Sequence, residues 1–538
     1  MLEINFNNVR KNYGFENVLN NINFDIYTSD KIALVGDNGC GKSTILKLIY
    51  GDEKVSDGNI SVRNNSTIGY LKQELEIENI TVKDYLFKSF IEVNNIKEEL
   101  IKLEARMQET NNEKIIQRYC DLQDKYMKLG GYEIEEKINK ILNYFSISDL
   151  LTKSLTELSG GENRIIMLIS ILLIEPSIIL LDEPTNHLDL DMVEKLENYL
   201  EKLKSTIIFV SHDRYFINKV ATKIVLIENN MLYEFTGNYD NFLIENEKRI
   251  IKQEEEYKNE QKKIKKMEEQ IKQLKFWGNF GAGNEIFAKR AFSIEKRLDK
   301  MERVTKPKQK HDIPLDFNMT ERSGKEVICI KNYVLSNLVL GGNFEIYFKD
   351  RVCLMGPNGS GKTTIIKDVI NNNRFGSNVK LGYIPQNIIF DDENMTIIEL
   401  LRKVCNDEEH ILRSKLFKFK FYKDNINKQL RLLSGGERVR LKLFLLLQKD
   451  INLIIMDEPT NHIDIETKEI LENALLSFNG TVLFVSHDRY FINKIASKII
   501  YIKDKKLITY VGNYDTINIG GSNDKKKKIK WNIYERSN

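Results

Sequence analysis

Two nine-residue segments carry the densest chemistry of the chain. Gly36-Asp-Asn-Gly-Cys-Gly-Lys-Ser-Thr44 returns as Gly356-Pro-Asn-Gly-Ser-Gly-Lys-Thr-Thr364. Each follows a short apolar run, Lys31 to Val35 and Arg351 to Met355, the strand-to-loop setting of a phosphate cradle. Gly36, Gly39 and Gly41, with Gly356, Gly359 and Gly361, let the backbone wrap phosphates. Amide N–H groups and the N-terminus of the helix that follows then face negative charge. Lys42 and Lys362 are placed to meet β- and γ-phosphates, and Ser43 and Thr363 to ligate Mg2+. Asn38, Thr44, Asn358 and Thr364 belong to the same cradles.

A second set of residues suits the attack of water on the terminal phosphate. Ile178 to Asp182 and Leu453 to Asp457 are apolar runs ending in a carboxylate, as expected of buried parallel strands whose C-terminal ends carry a site. Asp182 and Asp457 are candidate magnesium partners. The adjacent Glu183 and Glu458 are candidate general bases, a role worth on the order of 10²- to 10⁴-fold. Four of the six histidines, His187, His212, His462 and His487, repeat with these blocks. His212 and His487 each follow an apolar strand that brings them to the same sheet edge, within reach of a γ-phosphate; His187 and His462 read as turn-stabilising.

These residues are positioned by a duplicated architecture. Leu158-Ser-Gly-Gly-Glu162 recurs at Leu433 to Glu437, and Asp182-Glu-Pro-Thr-Asn-His187 at Asp457 to His462. Ser211-His-Asp-Arg-Tyr-Phe-Ile-Asn-Lys219 recurs at Ser486 to Lys494, and Gly237 to Asp240 at Gly512 to Asp515. All four pairs are 275 residues apart, whereas the glycine loops are 320 apart, so the first half holds 45 more residues between its loop and its Leu-Ser-Gly-Gly block. That surplus is read as a projecting helical arm at about 81–132, rich in charged helix formers and closed by Gly130-Gly131. Between the halves, Ile250, Tyr257, Ile264 and Ile271 are spaced by seven, as are Met267 and Leu274, a coiled-coil seam. It breaks at Phe276-Trp-Gly-Asn-Phe-Gly-Ala-Gly-Asn284 and resumes at Glu285, which reads as a helical hairpin with a glycine-rich, aromatic tip.

The fold expected is α/β: two tandem phosphate-loop ATPase domains, a helical arm in the first and a coiled-coil hairpin between them. The boundaries read are 1–244 for the first domain, 245–312 for the linker, 313–520 for the second domain and 521–538 for a basic tail. A chain of 538 residues is too long for one core. Lys plus Arg number 81 against 78 for Asp plus Glu, so a net charge of +3 gives no global case for a nucleic-acid or membrane partner. The longest apolar stretch, Ile165 to Ile174, falls well short of the ~20 residues of a spanning helix, and Met1 to Tyr13 holds no leader pattern. Five scattered cysteines suit neither a disulfide framework nor a zinc cluster, and the expected compartment is the cytoplasm.

Taken together, the glycine loops, Leu-Ser-Gly-Gly-Glu, Asp-Glu-Pro-Thr-Asn-His-Leu/Ile-Asp and Ser-His-Asp-Arg-Tyr-Phe resemble the ATP-binding cassette superfamily, and its twin-cassette ABC-F subfamily in particular. The resemblance covers nearly the whole chain. It implies that Ser159, Gly160 and Gly161, and likewise Ser434, Gly435 and Gly436, close over the ATP of the opposite half. Site one would join Lys42, Glu183 and His212 to Ser434, and site two Lys362, Glu458 and His487 to Ser159. It also implies that Gln73 and Gln386 sense magnesium and that Tyr13 stacks on adenine. Tyr333, in a region read as shortened before the second loop, leaves stacking in that half open. Ile165 departs from the family pattern, which has an arginine there; the second half keeps it as Arg440.

The resemblance further implies a ribosomal partner, with the hairpin beside P-site tRNA and the 23S rRNA of the peptidyl transferase centre. Local charge points the same way. Residues 245–270 hold 8 basic and 8 acidic side chains, and residues 271–310 hold 11 basic and 4 acidic, an excess of +7 on the tip and return helix. Phe276, Trp277 and Phe280 at the tip are able to stack on bases. Expected functions are protection of the ribosome against antibiotics or a housekeeping role in translation; an ATPase subunit of a membrane transporter ranks below both. The Lys525 to Lys528 run is a further candidate RNA contact.

Overall fold

The computed structural model describes residues 1–516 apart from 73–78, 110–112, 187, 281–283, 302–320, 336–337, 358, 406–407, 423–424 and 462. Gln73, His187, His462 and Asn358 therefore lie outside the described residues, as do the return end of the linker and the basic tail. The chain divides into two compact units, one built from residues 1–234 with 313–538 and the other from residues 235–312.

In the first unit each cassette is organised by a six-stranded sheet with the same strand order. The first runs Ile68–Leu71, Ile178–Asp182, Thr206–Val210, Lys31–Gly36, Lys223–Glu228 and Met231–Thr236. The second runs Leu381–Ile384, Leu453–Asp457, Thr481–Val485, Arg351–Met355, Lys498–Lys503 and Lys506–Val511. The first five strands of each are parallel. Strands Ile178–Asp182, Thr206–Val210, Leu453–Asp457 and Thr481–Val485 are buried at every residue. Helices on both faces leave no side for polar groups, so these segments read as unbroken apolar runs. Because all parallel strands point the same way, the phosphate loop and the Asp-Glu pair of one cassette emerge at the same edge.

The halves differ outside this shared sheet. The first has an antiparallel three-stranded sheet of Glu16–Tyr27, Leu2–Tyr13 and Asp57–Val62; the second has a two-stranded equivalent, Glu326–Ile330 with Phe344–Tyr347. The inserted arm is helical, Val82–Lys88, Ile91–Glu109 and Glu113–Lys128, and Tyr126 donates to the Gly131 carbonyl at 3.0 Å to close it.

The second unit is dominated by a 42-residue helix, Tyr239–Phe280, followed by Asn284–Asp299. The long helix starts earlier than the boundary at 245, because Gly237-Asn-Tyr-Asp turns straight into it: the Asn241 amide donates to the Asn238 side chain at 3.1 Å. Along this helix the heptad positions Ile250, Tyr257, Ile264, Met267 and Leu274 are half-buried and Ile271 is buried. On the return helix Phe287, Ile294 and Leu298 are half-buried around a buried Ala291. Lys275 and Glu295 bridge the two helices at 2.5 Å, and Trp277 meets Phe287 edge-on at 6.2 Å.

Candidate functional site

One cavity of about 1000 Å³ is lined by both cassettes. From the first come Asn38, Gly39, Gly41, Lys42, Ser43 and Thr44, with Asp182, Glu183 and His212. From the second come Gly359, Gly361, Lys362, Thr363 and Thr364, with Gln386, Glu458 and His487. Tyr13 also lines the cavity, and Ser159, Gly160 and Gly161 join from the first half's Leu-Ser-Gly-Gly segment. Ser434, Gly435 and Gly436 are not among the lining residues, and neither are Gly36, Gly356 and Asp457. Of the two serine segments, Ser159 to Gly161 thus lines this cavity and Ser434 to Gly436 does not.

Each phosphate loop is shaped by its glycines. Gly41 and Gly361 precede the helices Lys42–Tyr50 and Lys362–Asn371 in the left-handed region, at φ 102° and 90°. A Cβ on Gly41 would stand 2.7 Å from Val18 Cγ1, and one on Gly361 would stand 3.0 Å from Leu338 Cδ1. Only glycine suits both demands. Lys42 Nζ donates to the carbonyls of Gly36 and Asp37, each at 2.8 Å, and Lys362 Nζ to those of Gly356 and Pro357 at 2.8 and 3.0 Å. Both ammonium groups are thus held across the mouth of their own loop, where phosphate oxygens belong.

The Asp-Glu pairs are equally matched. Glu183 and Glu458 take left-handed backbone conformations, φ 51° and 48°. This is uncommon for a side chain of that size and costs about 1–3 kcal/mol, a cost that surrounding structure must offset. The neighbouring strand does so: Glu183 donates its N–H to the Val210 carbonyl at 2.9 Å, and Glu458 to that of Val485 at 3.0 Å. The turn aims each carboxylate at a histidine, with His212 Nε2 3.4 Å from Glu183 Oε1 and His487 Nε2 3.3 Å from Glu458 Oε1. Burial pushes both glutamates up to about 7, with the adjacent aspartates adding to the rise. Burial also lowers both histidines, helped by Lys42 and Lys468 at His212 and by Lys362 at His487, the latter to about 3. At neutral pH the imidazoles are neutral, and each glutamate is poised between its acid and its base form, the condition general-base chemistry favours.

Asp182 and Asp457 sit one residue back, almost fully buried, and burial raises both. The Ser43 and Thr363 hydroxyls offset part of that rise. Apart from the nearby Thr363 hydroxyl, no group among the described residues hydrogen-bonds the Asp457 oxygens. A buried carboxylate with unused oxygens beside a hydroxyl and a phosphate cradle fits a hard divalent cation that keeps water and phosphate ligands. Among the described residues no group of three or more His, Cys, Asp or Glu forms an all-protein metal cage.

Tyr13 and Tyr333 differ in a way their spacing hides. Both stand 23 residues before the first glycine of their loop, so the second half is not shortened there. Tyr13 ends a strand, is 46 % exposed and donates to Glu53, with Lys11 Nζ 4.9 Å from its ring centre. Tyr333 is 1 % exposed, packs on Phe344 and donates to Asp368 at 2.7 Å. It cannot present a face to adenine, and Leu338 lines the cavity of that half instead. The departure at Ile165 is also structural: Ile165 is core, the adjacent buried Arg164 donates to the Asp182 carbonyl, and Arg440 donates to Thr467 at 3.0 Å.

Residues the sequence reading did not single out join the halves. Arg214 Nη2 lies 2.7 Å from Glu472 Oε1, and Arg489 pairs reciprocally with Glu197, all four side chains at most 5 % exposed. Each arginine also covers a tyrosine of the other cassette: Arg214 lies 4.2 Å from the Tyr490 ring centre and Arg489 5.1 Å from that of Tyr215. Tyr514 donates to Glu194 at 2.6 Å. The signal was available, since Glu197 and Glu472 obey the same 275-residue spacing as the Ser-His-Asp-Arg-Tyr-Phe blocks.

The family model described as ABC transporter matches residues 19–186 and 341–461, and a second of the same description matches 225–317. The ATP-binding protein YdiF of Bacillus subtilis is 33% identical over 534 residues, 96% of this chain and 82% of the relative. ABC transporter F family member 2 of Arabidopsis thaliana is 32% identical over 537 residues, 95% of this chain and 78% of the relative. Among solved structures, a chain from the crystal structure of the archaeal ribosome recycling factor aABCE1 with ribosomal stalk protein aP1 shares the fold. It matches at a TM-score of 0.57 and 17% identity, over 93% of this chain and 89% of that one. With two phosphate loops, two strained Asp-Glu turns and these relatives along its length, the chain belongs to the F family of ATP-binding cassette proteins and hydrolyses ATP.

Proposed function

We propose that the protein is a cytoplasmic, ribosome-binding translation factor. In this reading ATP binding in the paired cassettes controls insertion of the interdomain hairpin beside P-site tRNA and the peptidyl transferase centre, and the tip protects the ribosome against antibiotics bound nearby. The observation that carries it is the hairpin surface: Phe276 and Trp277 are 61 % and 53 % exposed at the tip, and Phe292 on the return helix is 66 % exposed. These rings stand within the segment whose basic excess is +7. Exposed rings among cations suit stacking on single-stranded RNA and contact with phosphate. The name of the structural neighbour, a ribosome recycling factor, supports a ribosomal partner. A transporter role would require separate membrane partners, since no helix among the described residues is long and apolar enough to cross a membrane.

Within each site, Lys42 and Lys362 bind phosphate, Glu183 and Glu458 accept the proton of the attacking water, and His212 and His487 orient the γ-phosphate. Ser43 with Asp182, and Thr363 with Asp457, would hold Mg2+ together with Gln73 and Gln386. When bound, the cation neutralises charge on the β- and γ-phosphate oxygens. The finer claim of protection is tested by expressing the chain in a drug-sensitive strain. Raised inhibitory concentrations of lincosamides, pleuromutilins or streptogramins, lost with Phe276→Ala/Trp277→Ala, are expected. Unchanged concentrations, with growth still sensitive to the tip substitutions, would leave the housekeeping role.

A further inference from the structure

The interface is two-fold symmetric in its arginine–glutamate pairs but not at Lys468. Lys468 stands in the helix Ile465–Ser477 of the second cassette, 5 % exposed. Its ammonium donates to Asp488 Oδ2 at 2.7 Å, next to His487 of site two. The same ammonium donates at 2.9 Å across the interface to the backbone carbonyl of His212, in site one. The position 275 residues earlier is Val193, buried and unable to make either bond. Asp213, the counterpart of Asp488, is met instead by Arg489 of the opposite cassette at 3.5 Å.

We infer that Lys468 is a positioning residue for site one, fixing the His212 turn from the second cassette and making the two ATP sites unequal. A buried ammonium group is costly unless its donors are satisfied. Here the two acceptors that satisfy it belong to different sites, so displacement of the Asp488 turn releases the bond to His212. Charge supports the one-sidedness: Lys468 contributes to the environment of Glu183 and His212, whereas at Glu458 and His487 the cation that matters is Lys362. Lys468 lines the shared cavity, but its ammonium is engaged by Asp488 and the His212 carbonyl rather than by a phosphate loop, so it acts through the backbone of His212.

The inference rests on Glu183 and Glu458 as the bases, and the test separates the two claims. ATP turnover is measured on the full chain with one site silenced, Glu458→Gln leaving site one and Glu183→Gln leaving site two. Added Lys468→Met is expected to lower the site-one kcat by about tenfold, the effect of one charge-assisted hydrogen bond, with KM for ATP changed less than about twofold. Site two should fall by less than about threefold, and Lys468→Arg should restore most of the site-one rate. Equal losses at both sites, no loss at site one, or failure of arginine to restore it would overturn the inference. Should neither Glu→Gln change slow turnover, the assignment of the bases fails on its own. Lys468→Met in the natural chain then decides: a loss restored by arginine upholds the role of Lys468, and an unchanged rate ends it.

Discussion

The Arg214 guanidinium of the first cassette lies 2.7 Å from the Glu472 carboxylate of the second, both almost fully withdrawn from water. The reciprocal pair, Arg489 with Glu197, repeats this across the pseudo-two-fold. Each ion has a hydrogen-bonded counter-ion inside the interface, so what is costly is the loss of one partner rather than the presence of the pair.

Removing one partner should therefore be severe. Arg214→Ala leaves the buried Glu472 without its buried partner, paired with the half-exposed Lys494 at 2.9 Å, and should destabilise the joined cassettes by about 3–5 kcal/mol. Arg214→Ala/Glu472→Leu should recover most of that loss in a denaturant titration. An equal loss in the single and double variants would show that packing on Tyr490, and not the ion pair, is what Arg214 supplies.

Burial of the two candidate bases predicts a pH signature of stability. A folded carboxyl at about 7, against 4.5 in the unfolded chain, holds its proton more tightly when folded. Stability is then favoured below about pH 4.5, and the benefit is lost as pH rises through 7. Glu183→Gln/Glu458→Gln removes the buried charge, so nucleotide-free protein should melt higher than the parent at pH 8, by up to the order of 3 kcal/mol per site. The gap should shrink as pH falls towards 5. A gap that does not depend on pH would contradict the burial of these carboxylates.

The same comparison shows what the sequence could convey. The buried strands ending in a carboxylate, both phosphate loops and the Asp-Glu pairs were legible because each motif is local and appears twice at fixed spacing. Tyr333 was not, because a tyrosine 23 residues before a glycine loop has one spacing whether it ends a strand, like Tyr13, or folds inward onto Asp368. Lys468 was invisible for another reason: it lies outside the duplicated motifs, and its counterpart 275 residues earlier is Val193. The absence of Ser434 from the cavity is likewise a matter of packing between cassettes, which no motif encodes.

Tyr13 and Tyr333 should accordingly part ways under substitution. Tyr13→Ala should weaken adenine nucleotide binding at site one by about 1–3 kcal/mol, the scale of aromatic–base stacking, with little change in melting temperature. Tyr333→Ala should lower the melting temperature and leave intrinsic nucleotide affinity at site two close to the parent value. Binding of a fluorescent ATP analogue with the other loop silenced, read beside thermal melts, checks both. The reverse pattern would contradict the placement of the two rings.

Gly361→Ala should abolish productive binding at site two. The added Cβ both strains a φ of 90° and approaches Leu338 at 3.0 Å, and Leu338→Ala relieves only the second problem. Incomplete rescue by Leu338→Ala, seen as partial recovery of ATP affinity in calorimetry, is expected. Full rescue would show that crowding alone dictates glycine there.

The central claim, that ATP held between the cassettes drives the hairpin onto the ribosome, is tested most directly by sedimentation. Glu183→Gln/Glu458→Gln protein, able to bind ATP but not to hydrolyse it, is mixed with ribosomes and ATP and centrifuged through a sucrose cushion. The account predicts that it pellets with the ribosomes in ATP but not in ADP, and that Phe276→Ala/Trp277→Ala reduces the bound fraction. Trapped protein that stays in the supernatant with ATP would contradict it.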